Sequence, residues 1–324
     1  MDYLFGIVLG GSNNVFDVEC DENGTKKVRS CSLKSKRLKV ETRYYNPLAP
    51  GDRVEIERDG EEKGQIVSLV PRKNEFSRWN VKGRAPQLLA ANLDNVFLVT
   101  TPDEPPFRPK FLDRELAQAE RENLNVVILV NKYDLPSAQN ADFQKRLSIW
   151  ENLGYKVLRV SAKTGEGLEE LASLITGKLS ALVGQSGIGK SSLVNVLDNS
   201  CVLKTGSLSK KYGRGSHTTT KGSLMHLHLN ESIVGGVQNV FADIIDTPGV
   251  RRFCIHGIEA DDLAFFFREL RPLIGKCRYG MKCRHKNEPD CAFLEAVKNG
   301  SVSSERFESW KRIQDEIRTG SWED

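Results

Sequence analysis

The stretch "LSALVGQSGIGKSSLVNVL" (179–197) sets Gly-x-x-x-x-Gly-Lys-Ser between an apolar, strand-like run and a helical one. Few folds accept that order. A glycine-rich turn that leaves a buried strand and opens a helix aims its backbone N–H groups at one point. The positive end of the helix points there too, and phosphate fits between them. Gly184, Gln185, Ser186, Gly187, Ile188, Gly189, Lys190, Ser191 and Ser192 form this candidate cradle. Lys190 is placed to reach the β- and γ-phosphates and so to act in catalysis, and the Ser191 hydroxyl to ligate Mg²⁺. "DIIDTPG" (243–249) supplies a second half. Asp246, ending an apolar strand, is expected to hold the same Mg²⁺ through water, and the loop at Gly249 to sense the γ-phosphate. Between the two lies "GRGSHTTT" (213–220), polar and without period. Thr219 or Thr220 is the candidate to bind Mg²⁺ and γ-phosphate, so the order of this segment is expected to depend on GTP.

A base-reading motif comes earlier in the chain, not later. "VVILVNKYDLP" (126–136) ends a buried-type strand with Asn131, Lys132 and Asp134. The Asp134 carboxylate can accept from N1–H and the exocyclic amine of guanine. Adenine would leave that carboxylate unpaired, which is costly in a buried site. Asn131 and Lys132 are expected to brace the pocket. "VLRVSAKTGEG" (157–167) adds Ser161, Ala162 and Lys163, after the next strand, beside the guanine O6. The halves make one site for GTP or GDP if the domain is circularly permuted. Termini on neighbouring loops can be joined and another loop opened without disturbing the sheet.

Flanking regions differ in character. Residues 1–80 hold short β-like runs, "YLFGIVLG", "NVFDVEC", "RLKVETRYY", "DRVEIERDG" and "GQIVSLV", separated by turn signals. That pattern predicts a small β-barrel, an OB-fold or an SH3-like barrel. "PRKNEFSRWNVKGR" (71–84) reads as a basic linker. Residues 81–252 alternate apolar strands with helical segments, near 140–153, 166–177 and 190–198 among others, which predicts a parallel α/β sheet. Residues 253–324 carry a helical-looking "DDLAFFFREL", a cysteine cluster and a polar helical tail.

Net charge is only +4, so any nucleic-acid surface must be local. One basic stretch stands out, "KKVRSCSLKSKRLKV" (26–40). No run approaches the ~20 apolar residues a membrane span needs, and the N-terminal run lacks the basic residues of a secretory signal. The expected place is the cytoplasm, without a membrane partner. Of seven cysteines, three crowd into "CRYGMKCRHKNEPDC" (277–291). Cys277, Cys283, His285 and Cys291 offer the three thiolates and one imidazole of a closed structural Zn²⁺ site. Arg278, Lys282, Arg284 and Lys286 lie among them, where RNA phosphate contacts are expected.

The motifs "PGDRVEIE", "PRKNEFSR", "LAANLDNVFLV", "NKYDL", "SAKTGEGLEEL", "GQSGIGKSSLVN", "GRGSHTTT" and "IDTPGVRRF", with the final Cys/His cluster, resemble the RsgA/YjeQ family over nearly the whole chain. The resemblance implies an N-terminal OB-fold, a circularly permuted GTPase domain and a zinc-binding helical C-terminal domain. It implies a monomeric GTPase that binds the small ribosomal subunit and its rRNA, hydrolyses GTP during late maturation, and is stimulated by the subunit. It also implies that His217, in the first switch, serves the attacking water, because Val250 stands after DTPG where many GTPases carry a glutamine. Two departures are local. The family's glycine pair before the IDTPG strand is replaced by "VFAD", after an insertion holding Gly235 and Gly236, and five residues rather than four separate the first two cysteines. A plain RNA-binding module with a dead nucleotide site would have no reason to keep Lys190, Ser191, Asp246 and Asp134 together. An ATP-using enzyme would not carry NKYD.

Overall fold

The structure is a computed structural model, and it describes residues 3–12, 14–34, 44–201, 203 and 222–322. Five strands open the chain: β1 (Tyr3–Ser12), β2 (Val15–Glu22), β3 (Thr25–Leu33), β4 (Arg53–Asp59) and β5 (Lys63–Leu69). They close into a barrel in the order β1-β2-β3-β5-β4, with β3 parallel to β5 and β4 antiparallel to β1. This is the five-stranded Greek-key arrangement of an OB-fold. Its core is Val8, Phe16, Val18, Cys31, Val54, Ile56 and Ile66.

The third strand lies earlier than the pattern of "RLKVETRYY" suggests, since β3 runs through the first half of the basic stretch; residues 35–43 lie outside the described region. Alternation in β3 is inverted. Val28 is 54% exposed, whereas Arg29 is 3% exposed and bonds the Glu22 carboxylate at 2.6 Å and the carbonyls of Gly60 and Lys63 at 2.9 and 3.1 Å. A charged residue held by three hydrogen bonds from Nε and Nη1 occupies a position that pattern reading reserves for an apolar one.

The basic "linker" is a hairpin instead. β6 (Glu75–Asn80) pairs antiparallel with β7 (Ala85–Ala91). Arg72, just before it, forms a two-point ion pair with the fully buried Asp52 at 2.7 and 3.0 Å, and bonds Glu75 at 3.1 Å. The PGD turn that carries Asp52 docks on β7, the Ala91 N–H donating to Pro50 O at 3.0 Å. The two motifs "PGDRVEIE" and "PRKNEFSR" are thus halves of one joint between barrel and hairpin.

The central sheet has the order β10-β9-β8-β11-β13-β12. β8 (Asn95–Thr100), β9 (Val126–Val130), β10 (Lys156–Arg159), β11 (Leu179–Gly184) and β13 (Phe241–Asp246) are parallel. β12 (Ser223–His228), not evident in the sequence, is an antiparallel edge strand on β13. Val96, Leu98, Ile128 and Val130 face one side, under α1 (Pro109–Arg121) and α2 (Ala141–Asn152). Phe97, Val99, Val127 and Leu129 face the other, under α3 (Leu168–Ile175) and α4 (Lys190–Leu197). Buried on both faces, these strands are continuous apolar runs.

The C-terminal region packs Phe267, Leu270, Phe293, Phe307, Trp310 and Ile313 around the cysteine cluster, with α5 (Ala292–Lys298) and α6 (Ser304–Thr319). The helix expected over "DDLAFFFREL" shrinks to one 3₁₀ turn, Leu263–Phe266. Phe267 is extended there, which carries Arg268 onto Glu120 of α1 at 2.7 Å. Docking overrides helix propensity.

Candidate nucleotide-binding and metal sites

β9, β10 and β11 end on the same side of the sheet, so the loops that follow them meet. The phosphate loop needs its glycines: Gly184, Gly187 and Gly189 have φ of 148°, 84° and 89°. A Cβ on Gly189 would collide with the Asn131 amide. That contact joins the two motifs. Asn131, 1% exposed, donates from Nδ2 to Ile188 O at 2.8 Å and accepts from the Ala162 N–H at 3.4 Å. One side chain therefore ties the phosphate loop to both base-side loops.

On the base side, Asp134 Oδ1 accepts from Ser161 Oγ at 2.6 Å, and Lys163 Nζ lies 3.7 Å from Oδ2. Ser161 Oγ in turn accepts from the N–H groups of Lys163 and Thr164 at 3.2 and 3.1 Å. The carboxylate is held in place but keeps lone pairs for a ligand. Lys132 sits at φ 57° with its ammonium on Glu104 O.

On the phosphate side, Lys190 is 7% exposed and donates to Gly184 O at 3.2 Å and Gln185 O at 2.9 Å. Burial pushes its ammonium down, while Asp246 and Glu115 push it back up. Ser191 Oγ donates to Asp246 Oδ2 at 3.1 Å. Asp246 is 2% exposed, and its Oδ1 has no partner among the described residues. Burial raises its carboxyl, opposed by Lys190 and Ser191. A buried, orphaned carboxylate oxygen beside a serine hydroxyl is a donor set of the kind a hydrated Mg²⁺ takes.

Beyond Asp246 the chain is pinned to β11, with Thr247 Oγ1 bonded to Leu182 O at 2.8 Å. Gly249 lies so near the phosphate loop that a Cβ would sit 2.6 Å from Ser186 Cα. The next residue, Val250, is buried in the core with its N–H on Gly184 O at 3.3 Å. An aliphatic side chain turned into the core cannot orient water. His217, Thr219 and Thr220 lie outside the described residues.

Sequence reading missed Glu115. It is 1% exposed on α1, and its Oε1 has no hydrogen-bond partner among the described residues; burial pushes its carboxyl well above the ordinary glutamate range. The available signal was its position in the helical stripe Phe111, Leu112, Leu116 and Ala119, otherwise apolar and buried.

The second site is compact. The ligand atoms of Cys277, Cys283, His285 and Cys291 all lie within 4.8 Å of one another. Cys277 Sγ is 3.8 Å from Cys291 Sγ, and His285 Nδ1 is 3.6 Å and 3.3 Å from those two sulfurs. Tetrahedral thiolates at a Zn–S distance of ~2.3 Å sit about 3.8 Å apart, so the spacing fits. The His285 ring stacks on Phe293 with centroids 3.9 Å apart, and burial lowers its basicity, leaving the neutral imidazole a ligand requires. Burial also pushes the Cys283 thiol up to about 12, so a metal must displace its proton. Arg278, Lys282, Arg284 and Lys286 are all exposed around it. Among the described residues no helix is long and apolar enough to cross a membrane.

Comparison with known proteins follows this geometry. Residues 69–256 match the family model described as RsgA GTPase. A relative from Borreliella burgdorferi, named small ribosomal subunit biogenesis GTPase RsgA, is 34% identical over 318 residues, covering 98% of each chain. One of the same name from Chlorobaculum parvum is 37% identical over 324 residues, covering 97% of this chain and 98% of its own. The crystal structure of YjeQ from Thermotoga maritima is similar with a TM-score of 0.68 at 30% identity, covering 98% of this chain and 99% of that one. The structure of YloQ, described as a circularly permuted GTPase, shares the fold with a TM-score of 0.66 at 22% identity, over 100% and 98%.

Proposed function

The chain belongs to the RsgA GTPase family, and from that premise we propose that it binds GTP, engages the small ribosomal subunit and its rRNA during late maturation, hydrolyses the nucleotide there, and leaves in the GDP state. The observation that carries this reading is the Asn131 bridge, 2.8 Å to Ile188 O and 3.4 Å to the Ala162 N–H. It makes one pocket of two motifs whose order in the chain is reversed. Asp134 reads guanine, with Asn131, Lys132, Ser161, Ala162 and Lys163 shaping the base site. The loop from Gly184 to Ser192 cradles the phosphates, and Lys190 bears on the transferred group.

Mg²⁺ would be held by Ser191 and, through water, by Asp246, with Thr219 or Thr220 completing the set; when bound it neutralises charge on the β- and γ-phosphates. Gly249 senses the γ-phosphate from beside Ser186. Since Val250 is core, another group must serve the water, and His217 is our candidate: a ring that titrates near neutrality can orient water or take its proton. Cys277, Cys283, His285 and Cys291 would hold one structural Zn²⁺, which fixes the exposed arginines and lysines around it against rRNA phosphate. The protein acts as a monomer in the cytoplasm.

The test is nucleotide hydrolysis with GTP and with ATP, each with and without purified small subunits, together with co-sedimentation. We expect GTP alone to be turned over, faster with subunits, and co-sedimentation to need a non-hydrolysable GTP analogue. Equal use of ATP, or no response to subunits, would overturn the proposal. His217→Ala should bind GTP normally and lose most of the subunit-stimulated rate; an unchanged stimulated kcat removes His217 from the mechanism.

A further inference from the structure

The turn between Cys277 and Cys283 holds two large apolar side chains in the open. Tyr279 is 50% exposed and Met281 is 69% exposed. Neither hangs from a loose chain. The Gly280 N–H donates to Cys277 O at 2.7 Å, the Lys282 N–H to Tyr279 O at 3.1 Å and the Cys283 N–H to Gly280 O at 3.2 Å, and Gly280–Lys282 forms a 3₁₀ turn. The Arg278 N–H closes the base of the turn on Asp290 O at 3.1 Å. One exposed hydrophobic residue is ordinary on a protein surface. The surrounding charge sets this pair apart. Lys276, Arg278, Lys282, Arg284 and Lys286 are all exposed beside it. The two nearby acids are already engaged. Asp290 takes Arg278 at 3.3 Å, and the Glu288 carboxylate accepts from the N–H groups of Arg284, Lys286 and Asn287 at 3.1, 2.8 and 3.2 Å. Among the described residues, the side chains of Lys282, Arg284 and Lys286 have no carboxylate partner. The basic stretch of the barrel is the reverse case: Lys26 pairs with Glu19 at 2.9 Å, Lys27 with Glu22 at 3.6 Å, and Lys34 with Glu57.

We propose that Tyr279, with Met281 beside it, is a stacking platform for an unpaired RNA base, while Lys282, Arg284 and Lys286 meet the flanking phosphates. This rests on the subunit-binding function proposed above and deepens it: the turn takes single-stranded RNA and not a duplex. Phosphate contacts alone would serve either form. The ring decides between them. In a duplex the faces of the bases are covered by their neighbours, so an exposed tyrosine gains little there. An unpaired base offers a free face to an aromatic side chain, and its own phosphates lie within reach of nearby cations. The thioether of Met281 adds a polarisable surface of the kind that packs on ring edges. An acidic peptide would answer the cations but leave the ring and the thioether without a flat counterpart. The turn is bonded internally, so little side-chain and backbone ordering is left for binding. Stacking of one base on one aromatic ring changes affinity by about fivefold to a hundredfold.

The experiment measures, by fluorescence anisotropy over a range of salt, the Kd of the zinc-loaded full chain for a labelled uridine decamer and for an RNA duplex of equal length. The variants are Tyr279→Ser, Tyr279→Phe and the pair Lys282→Gln with Arg284→Gln. Metal content and near-UV circular dichroism confirm that each keeps the fold. We expect Tyr279→Ser to weaken decamer binding about fivefold or more, with an unchanged salt slope and an unchanged Kd for the duplex. Tyr279→Phe keeps the ring and should bind as the natural protein does. The paired glutamine variant should weaken both RNAs and reduce the decamer's salt slope by about 1.4, two phosphate contacts at ~0.7 each. The inference is overturned if the natural protein does not bind the decamer, if Tyr279→Ser binds it equally well, if the loss is the same on the duplex, or if Tyr279→Phe fails to restore binding. Tyr279-dependent binding of hexaglutamate with no such dependence for RNA overturns it as well, in favour of an acidic protein partner. Failure of the natural protein to sediment with small subunits in any nucleotide state would instead overturn the function proposed above.

Discussion

Replacing Arg306 with methionine keeps most of the stem and removes the charge. In the structure Arg306, on α6, is 2% exposed. Its guanidinium bonds both oxygens of Glu269 at 2.6 and 3.0 Å, touches Asp113 Oδ1 of α1, and covers the Phe267 ring at 4.7 Å. Asp113 is 1% exposed and also accepts from Trp150 Nε1 at 3.1 Å. Arg306→Met leaves two buried carboxyl groups with no cation between them. Breaking one side of such a cluster costs about 3–5 kcal/mol. The cost must depend on pH. Burial already raises the Asp113 carboxyl, and Arg306 is the largest influence lowering it. Without Arg306 it rises further above its unfolded value. A carboxyl of that kind destabilises the fold above its unfolded pKa, and the penalty fades as pH falls and both states become protonated, by up to about 1.4 kcal/mol per pH unit. Urea unfolding read by tryptophan fluorescence, with Trp310 reporting on the C-terminal core, should give the full deficit at pH 8 and a smaller one at pH 5. Adding Asp113→Asn and Glu269→Gln should restore most of the loss, because a neutral, hydrogen-bonding set no longer buries charge. A deficit below about 1 kcal/mol at pH 8, or one that persists in the triple variant, refutes the argument.

Gly189→Ala should keep the fold and lose nucleotide affinity by roughly 30-fold or more: a side chain at φ 89° costs ~1–2 kcal/mol, and the displaced Asn131 gives up about one hydrogen bond besides. Titration with a fluorescent GDP measures it, and an unchanged Kd would show that Asn131 does not bridge the loops. Zinc removal by a chelator, or Cys283→Ser, should loosen the packing of Phe293 and Trp310 around His285; metal analysis and Trp fluorescence check it, and a chelated protein with unchanged near-UV circular dichroism would count against a structural metal. His226 bridges barrel and sheet, with Nδ1 2.6 Å from Asp243 and Nε2 3.1 Å from Glu19, while Lys26 sits 2.9 Å from Glu19. Asp243 and then Glu19 raise its pKa. The stabilisation is therefore present in full below the unfolded value of about 6.5 and is lost as pH rises through the folded one. Thermal melts from pH 6 to 8.5 should show that loss in the natural protein and not in His226→Gln.

What the sequence disclosed is what depends on fixed spacing. Gly184, Gly187, Gly189, Lys190 and Ser191 must be those residues at those intervals, because a bent loop and a helix start dictate them. The same holds for NKYD at the end of β9 and for the four metal-ligand candidates. Residues whose role depends on a distant partner stayed hidden. Arg29 reads as a solvated basic residue until Glu22 and two carbonyls are seen around it. Arg72 reads as part of a linker until the buried Asp52 appears at 2.7 Å. β12 buries Leu224 and Leu227, three residues apart, too irregular an alternation to read as an edge strand. The 3₁₀ turn over Leu263–Phe266 is set by docking on α1 and α6, which no local window contains.

The reversed order of the motifs has a mechanical consequence that the contacts make specific. The loop at Gly249 runs at once into residues 251–256, and that segment is not a loose tether. Arg108 donates to Arg251 O at 3.4 Å, Arg78 to Arg252 O at 3.0 Å, the Trp79 N–H to Cys254 O at 2.9 Å, and the His256 N–H to Gln118 Oε1 at 2.8 Å. Every one of these partners belongs to the hairpin or to α1 and its N-cap. α1 also carries three successive charges, and at 100° per residue they face different neighbours. Asp113 meets Arg306 and Arg114 meets Glu316 at 3.0 Å, whereas Glu115 is buried beside a small cavity that it lines with Gln185 of the phosphate loop. Two of the three grip the C-terminal region and the third lies behind the phosphate loop. A displacement at Gly249 or at Gln185 of the phosphate loop therefore reaches the same helix, and packed elements shift as bodies instead of absorbing strain residue by residue. Loss of the γ-phosphate is accordingly expected to move the C-terminal region that carries the cysteine cluster together with α1, which an ordinary order of motifs, with its second switch leading back into the sheet, would not do.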